Sequence, residues 1–218
     1  MKRRDFSLSA AMAMPALWGG ATGAAQAQVR KPVEGKDYVV LSKPAFVDAP
    51  KGKVEVVEFF WYGCPHCNAF EPLLVSWVKK LPADVAFRRV HVAFRSDFVP
   101  QQKLYQALEA MGKVDEFQRQ VFRAIHVDHV ALTSDNAIFD WVGKQPGLDA
   151  ARFKQFYTSF DTANKVTRFT QLQDAYQIEG VPTLGIAGRY WTDGSRTGSM
   201  DRALQVTEYL VGESRTKA

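Results

Sequence analysis

Residues 54–67 read VEVVEFFWYGCPHC. The first nine, Val54 to Tyr62, are nearly all β-branched or aromatic, the composition of a central strand buried on both faces. A helix follows at once. Phe70, Leu73, Leu74, Trp77, Val78 and Leu81 recur at helical spacing and make one apolar stripe. Pro72 falls inside that stripe and is expected to kink the helix, and Leu81-Pro82 is expected to end it. Cys64-Pro65-His66-Cys67 therefore stands where a buried strand ends and a helix begins.

That position carries chemistry. The unpaired N–H groups and the positive end of the helix dipole surround Cys64 and favour a thiolate over a thiol. An imidazolium or N–H donor at His66 adds to this, and Pro65 suits a first-turn position, where its missing donor costs nothing. A stabilised thiolate is a good leaving group and a stable reduced product, so the disulfide becomes more oxidising. Cys64 is expected to be the exposed sulfur that enters a mixed disulfide, and Cys67, one turn in, the resolving thiol. These are the only two cysteines of the 218 residues. As a staple the pair is poor: so short a loop is worth roughly 2 kcal/mol in the chain-entropy model, against about 4.7 for a 100-residue loop. A metal site built from Cys64, Cys67, His126 and His129 is the rival from a different class, with a ligand spacing unlike the usual zinc finger.

Outward from this motif, Tyr38 to Leu41 and Val85 to Phe94 read as further strands. From about Val99 to Tyr176 the signals are helical: Leu104, Leu108 and Met111; Phe117, Val121 and Phe122; a cap at Thr133-Ser134-Asp135; Asp149 ahead of Phe153 and Phe156; then Val166, Phe169 and Leu172. Gly180-Val181-Pro182 breaks the pattern. Leu184–Ala187 and Arg189–Thr192 make a hairpin turned at Gly188, Asp193-Gly194 a further turn, and Ser199 caps a last helix through Leu210. His91, His126 and His129 show no obvious partners.

Residues 1–27 differ from the rest. Lys2, Arg3 and Arg4 form a positive head, Leu8 to Ala25 carries no charge, and Ala25-Gln26-Ala27 offers a small-x-small cleavage site. The segment reads as a signal peptide rather than an anchor, since Pro15, Gly19, Gly20 and Gly23 interrupt it. Arg3-Arg4-Asp5-Phe6 also resembles a twin-arginine export signal. Export leads to an oxidising compartment. The formal charge is +5, part of it in this leader, and no basic block stands out, so nucleic-acid binding has little support. Hydrophobic residues at 46% and charged ones at 23% suit a folded globular chain.

Glu58-Phe59-Phe60, Cys64-Pro65-His66-Cys67, Gly180-Val181-Pro182-Thr183 and Glu34-Gly35-Lys36-Asp37-Tyr38 together resemble the DsbA family of thiol:disulfide oxidoreductases, within the thioredoxin superfamily. The resemblance covers essentially the whole mature chain. It implies a thioredoxin-like α/β fold with an inserted α-helical domain: residues 28–98 and 177–218 the thioredoxin-like part, 99–176 the insert. It implies a periplasmic oxidase that hands its Cys64–Cys67 disulfide to reduced or unfolded exported proteins, works as a monomer without a further cofactor, and is reoxidised by a DsbB-type membrane quinone reductase. No nucleotide or flavin signature is present. The resemblance also implies that Pro182 is cis beside the cysteines, where an X–Pro bond is otherwise trans by default. The backbone of Val181 is then free to pair with a substrate strand. Glu58, an acid in a core run, becomes a buried carboxylate near Cys67 that relays its proton. The family's lysine partner for this acid is replaced here by Arg89, and an arginine is expected to hold Glu58 ionised more firmly. A disulfide isomerase on the same scaffold is the nearer rival. Residues 28–53 are too few for its dimerisation domain, and Val181 stands where a threonine is expected.

Overall fold

The structure is a computed structural model that describes residues 30–216. The segment read as a signal peptide lies outside the described residues. In chain order come β1 (Val39–Val40), β2 (Val54–Phe60), α1 (Pro65–Val78) and β3 (Val85–His91). After one 3-10 turn at Ser96–Phe98 follow α2 (Val99–Ala110), α3 (Val114–His126), α4 (Asp135–Val142), α5 (Ala150–Tyr157) and α6 (Phe160–Ala175). The chain then closes with β4 (Thr183–Ile186), β5 (Tyr190–Asp193), α7 (Gly194–Thr197) and α8 (Met200–Arg215). This is the order the sequence implies: strand, helix, strand, a helical block, a hairpin and a helix.

The five strands form one mixed sheet in the order β1-β5-β4-β2-β3. β2 runs parallel to β3, with Glu58 opposite Arg89, and antiparallel to β4, with Glu58 opposite Leu184. It has a neighbour on each edge and is buried from Glu55 to Phe60, which its apolar run requires. Alternation along the strand sends its side chains to two cores. Val56 packs with Leu184, Ile186, Phe70, Leu74 and Trp77 and with Leu204 and Leu210 of α8. Val57 and Phe59 join Leu104, Leu108, Phe117, Leu172 and Tyr176, so the helical block and the sheet share a hydrophobic core. Truncating a side chain such as Leu74, which is fully buried, to alanine costs about 2–5 kcal/mol in sites of this kind.

The caps read from the sequence are in place. Ser134, Asp149 and Ser199 accept from the backbone N–H of Ala137, Arg152 and Arg202. The β4–β5 hairpin turns through Ala187 (φ 52°) and Gly188 (φ 66°), both left-handed, and Arg189 N–H closes the turn on the Ile186 carbonyl at 2.9 Å.

Some boundaries differ from expectation. β3 stops at His91 rather than Phe94, although Val92 N–H still donates to the Phe60 carbonyl at 2.8 Å. α8 continues past Leu210 to Arg215, whose guanidinium meets Asp84 at 2.7 Å. Asp193-Gly194 is not a bare turn: Asp193 caps α7. Pro72 lies on the exposed side of α1, and the helix continues through it to Val78.

Candidate active site

The turn from β2 into α1 places the cysteines. Residues 61–64 form a tight turn closed by Cys64 N–H donating to the Trp61 carbonyl at 3.0 Å. Cys64 keeps extended backbone (φ −81°, ψ 118°) and stands at the N-cap of α1. Pro65 opens the helix, where no donor is missed. Trp61 lies over Gly63 and stacks on Phe98, with centroids 3.9 Å apart and planes 7° apart. A Cβ on Gly63 would sit 2.3 Å from the indole, so only glycine permits this approach.

Both cysteines are free thiols. The Cys64 thiol is pulled down to about 6, first by a hydrogen bond from Cys67, then by the backbone N–H groups of Cys67 and His66 and the His66 imidazole. The helix N-terminus thus acts as the sequence implies, but its strongest donor is the second thiol of the motif itself. Cys67 is fully buried. Burial pushes its thiol up, and the Cys64 sulfur and the Glu58 carboxylate push it the same way. His66 is exposed beside them.

The Val181–Pro182 bond is cis. The Cys64 Sγ donates to the Val181 carbonyl at 3.4 Å, so the loop before β4 lies against the sulfur although 117 residues separate the two. A cleft of about 500 Å³ opens alongside, lined by His66, Gly180, Val181, Pro182, Asp193 and Met200 among others.

Beneath the motif, Glu58 is buried and its Oε2 accepts from Arg89 Nε at 2.9 Å. The same guanidinium donates through Nη2 to both oxygens of Glu71, at 2.9 and 3.0 Å. The sequence reading missed Glu71. It stands one turn beyond Cys67 on α1, on the buried face with Phe70 and Leu74. An acid interrupting an apolar helical stripe was the available signal. Glu71 also corrects the expectation for Glu58. Burial pushes the Glu58 carboxyl up to about 7; Arg89 opposes this, and Glu71 reinforces it. One cation shared by two buried carboxylates does not keep both ionised. The outcome is an acid able to hold or release a proton near neutral pH, adjoining a thiol that resists ionisation.

Two of the histidines without apparent partners have them. His91 is fully buried and His126 half-buried, and both meet the backbone of Tyr62. His126 Nε2 faces the Tyr62 carbonyl and not the sulfurs, and His129 is exposed with φ 54°. Among the described residues, no group of three or more Cys, His, Asp or Glu is arranged to hold a metal ion.

Comparison with known proteins agrees with this geometry. Residues 85–205 match the family model of the DSBA-like thioredoxin domain, a stretch running from β3 into α8 that begins after the cysteine pair. The chain is 42% identical to the thiol:disulfide interchange protein DsbA of Burkholderia cepacia over 199 residues, 91% of this chain and 93% of that one. It is 39% identical to the protein of the same name from Pseudomonas aeruginosa over 215 residues, 99% of each. Among solved structures, DsbA of Pseudomonas aeruginosa superimposes with a TM-score of 0.81 at 39% identity, covering 85% of this chain and 96% of that one. The oxidoreductase DsbA of Xylella fastidiosa gives 0.78 at 28% identity, covering 85% and 98%.

Proposed function

The chain belongs to the DSBA-like thioredoxin family, and from that premise we propose that it is an exported dithiol oxidase whose exchangeable bond is Cys64–Cys67. The observation that carries this reading is the opposed setting of the two sulfurs. One is held by amide N–H groups at the start of α1 and faces the Val181–Pro182 loop; the other is sealed above Glu58.

In the oxidised enzyme, a client thiolate attacks Cys64 Sγ. The Cys64–Cys67 bond breaks, and its electron pair leaves on Cys67. Because Cys67 resists ionisation, its departure needs a proton, which Glu58 supplies; the influence of the Glu58 carboxylate on the Cys67 thiol supports this assignment. A second client thiolate then attacks the client sulfur of the mixed disulfide. Cys64 leaves as a thiolate, the client is oxidised, and two electrons remain on the cysteine pair. A low thiol pKa makes Cys64 a good leaving group in this step. His66 and Pro65 shape the helix entry. The Val181 backbone, with Pro182 beside it, pairs with an extended client segment along the adjoining cleft.

The working place is the periplasm, reached through the 1–27 leader, whether by the general or the twin-arginine route. Clients are reduced, unfolded exported proteins. A DsbB-type membrane protein returns the electrons to quinone, the enzyme acts as a monomer, and no cofactor beyond the disulfide takes part. Residues 28–98 and 177–218 form the redox body, and 99–176 the inserted helical part.

Oxidation of a dithiol peptide by wild type, Cys64→Ser and Cys67→Ser tests the reading. Wild type turns over and neither variant does. A covalent adduct with a disulfide-containing peptide accumulates only with Cys67→Ser. Turnover by either variant, or a strongly reducing potential for the wild type, overturns it.

A further inference from the structure

The turn that delivers Cys64 to the start of α1 is held from outside by two imidazoles. Its closing bond, Cys64 N–H to the Trp61 carbonyl, leaves the N–H and C=O of Tyr62 without partners inside the turn. Each meets one histidine. Tyr62 N–H donates to His91 Nε2 at 3.2 Å. Tyr62 C=O accepts from His126 Nε2 at 2.8 Å.

The tautomers follow from these partners. His91 Nδ1 lies 2.9 Å from the Val92 carbonyl and carries the hydrogen, which leaves Nε2 as an acceptor. That arrangement requires a neutral ring, and full burial keeps it neutral by pushing its pKa down to about 3. His126 Nε2 faces a carbonyl and must carry a hydrogen. The two rings come from different parts of the chain: His91 ends β3 and His126 ends α3. α3 grips the same residue a second time, since the Tyr62 phenol donates to Gln118 Oε1 at 2.7 Å.

We propose that His126 is a positioning residue for disulfide exchange: by donating its Nε2–H to the Tyr62 carbonyl, it fixes the turn that sets the Cys64 sulfur against the amide groups of α1. The inference rests on the reading of Cys64 as the exchanging sulfur. Amide donors stabilise a thiolate only while the sulfur stays within their reach. The Trp61–Cys64 turn determines where that sulfur sits. Releasing the Tyr62 carbonyl lets the peptide plane rotate, and the sulfur loses part of its contact with the N–H groups of His66 and Cys67. His126 never touches a reacting atom. It acts from the helical block, so α3 contributes to the poise of a disulfide it does not carry.

The test compares wild type, His126→Ala, His126→Leu and His126→Gln. Leucine keeps bulk without the donor, and serves if alanine folds poorly. Glutamine restores an N–H donor at the place of Nε2. The thiolate is followed by ultraviolet absorbance through a pH titration, and the dithiol–disulfide equilibrium is set against glutathione. The alanine and leucine variants raise the midpoint of the Cys64 titration and lower the oxidising equilibrium constant about three- to tenfold, the worth of one net hydrogen bond. Glutamine returns both to near wild type. Their thermal stability falls more in the reduced form than in the oxidised form.

A merely structural role lowers both redox forms equally and leaves the titration alone; that result overturns the proposal, as does equal behaviour of alanine and glutamine. The functional reading is tested separately, by wild-type peptide oxidation. Its failure with an altered titration in His126→Ala leaves the positioning role standing. Success with an unaltered titration removes only His126.

Discussion

Two sulfurs one helical turn apart occupy opposite environments. Cys64 lies in a polar setting of amide N–H groups, the Cys67 thiol and His66, which draws its thiol down to about 6. Cys67 lies in a closed setting where burial, the Cys64 sulfur and then the Glu58 carboxylate drive its thiol up; Glu58 is in turn paired with Arg89, which also holds Glu71. The groups that draw the Cys64 thiol down fall within residues 64–67, although the Val181 carbonyl meets the sulfur from across the fold. The second environment is assembled at a distance, from β2, β3 and α1. A four-residue motif thus carries the donors that make a leaving group, while the partner thiol's reluctance to ionise is a property of the fold.

The heaviest way to break this contrast is at its far side. Arg89→Met leaves Glu58 and Glu71 buried without a cation. It is expected to cost about 3–5 kcal/mol at neutral pH, recovered in part near pH 5 as the carboxyls take protons; urea unfolding at the two pH values measures it. Glu58→Gln works in the other direction. A carboxyl raised to about 7 stabilises the fold fully below its unfolded value of about 4.3, and that contribution is lost as pH rises through about 7. The glutamine variant is therefore expected to exceed wild type in stability at pH 8 by about 1–3 kcal/mol, with a flatter pH profile and slower release of Cys67 in stopped-flow exchange. A wild-type profile in this variant would show that Arg89 already holds Glu58 ionised.

The near side is sharpened by comparing reduced wild type with Cys64→Ala across pH. A depressed thiol adds stability as pH rises from about 6 towards the ordinary thiol range of about 8.5, and loses it as pH falls through about 6. The oxidised enzyme, with no thiol, is expected to lack this slope, and a difference profile flat between pH 6 and 8.5 would refute the polar setting. Smallest of all, Ser134→Ala removes the cap of α4, an element that contributes no residue to the cysteine motif, the Glu58–Arg89–Glu71 cluster or the cleft beside it. About 0.5–1 kcal/mol is expected to be lost at every pH, with the thiol titration unmoved; a moved titration would mean that the two settings are not as local as described.

What the sequence revealed follows the same division. The apolar run 54–60 and the helical stripe after it located β2 and α1, because periodicity and burial act residue by residue. Ser134, Asp149 and Ser199 announced their helices because a cap is a short-range bond. Glu71 was hidden in plain view, as an acid within a stripe read only for its apolar members. The link of Glu58 to Arg89 was anticipated through the family, but its protonation was not, because that depends on a third residue. His126 gave no signal, since its partner is a main-chain carbonyl, which no side-chain pattern records.

β1 is only two residues long, and it forms one rim of the sheet. A long open rim would offer unpaired main-chain groups to any extended chain that drifts past. An oxidase of unfolded polypeptides, the role proposed above, would meet such chains continually. With so short a ladder on that side, a visiting chain finds no register to zip onto there.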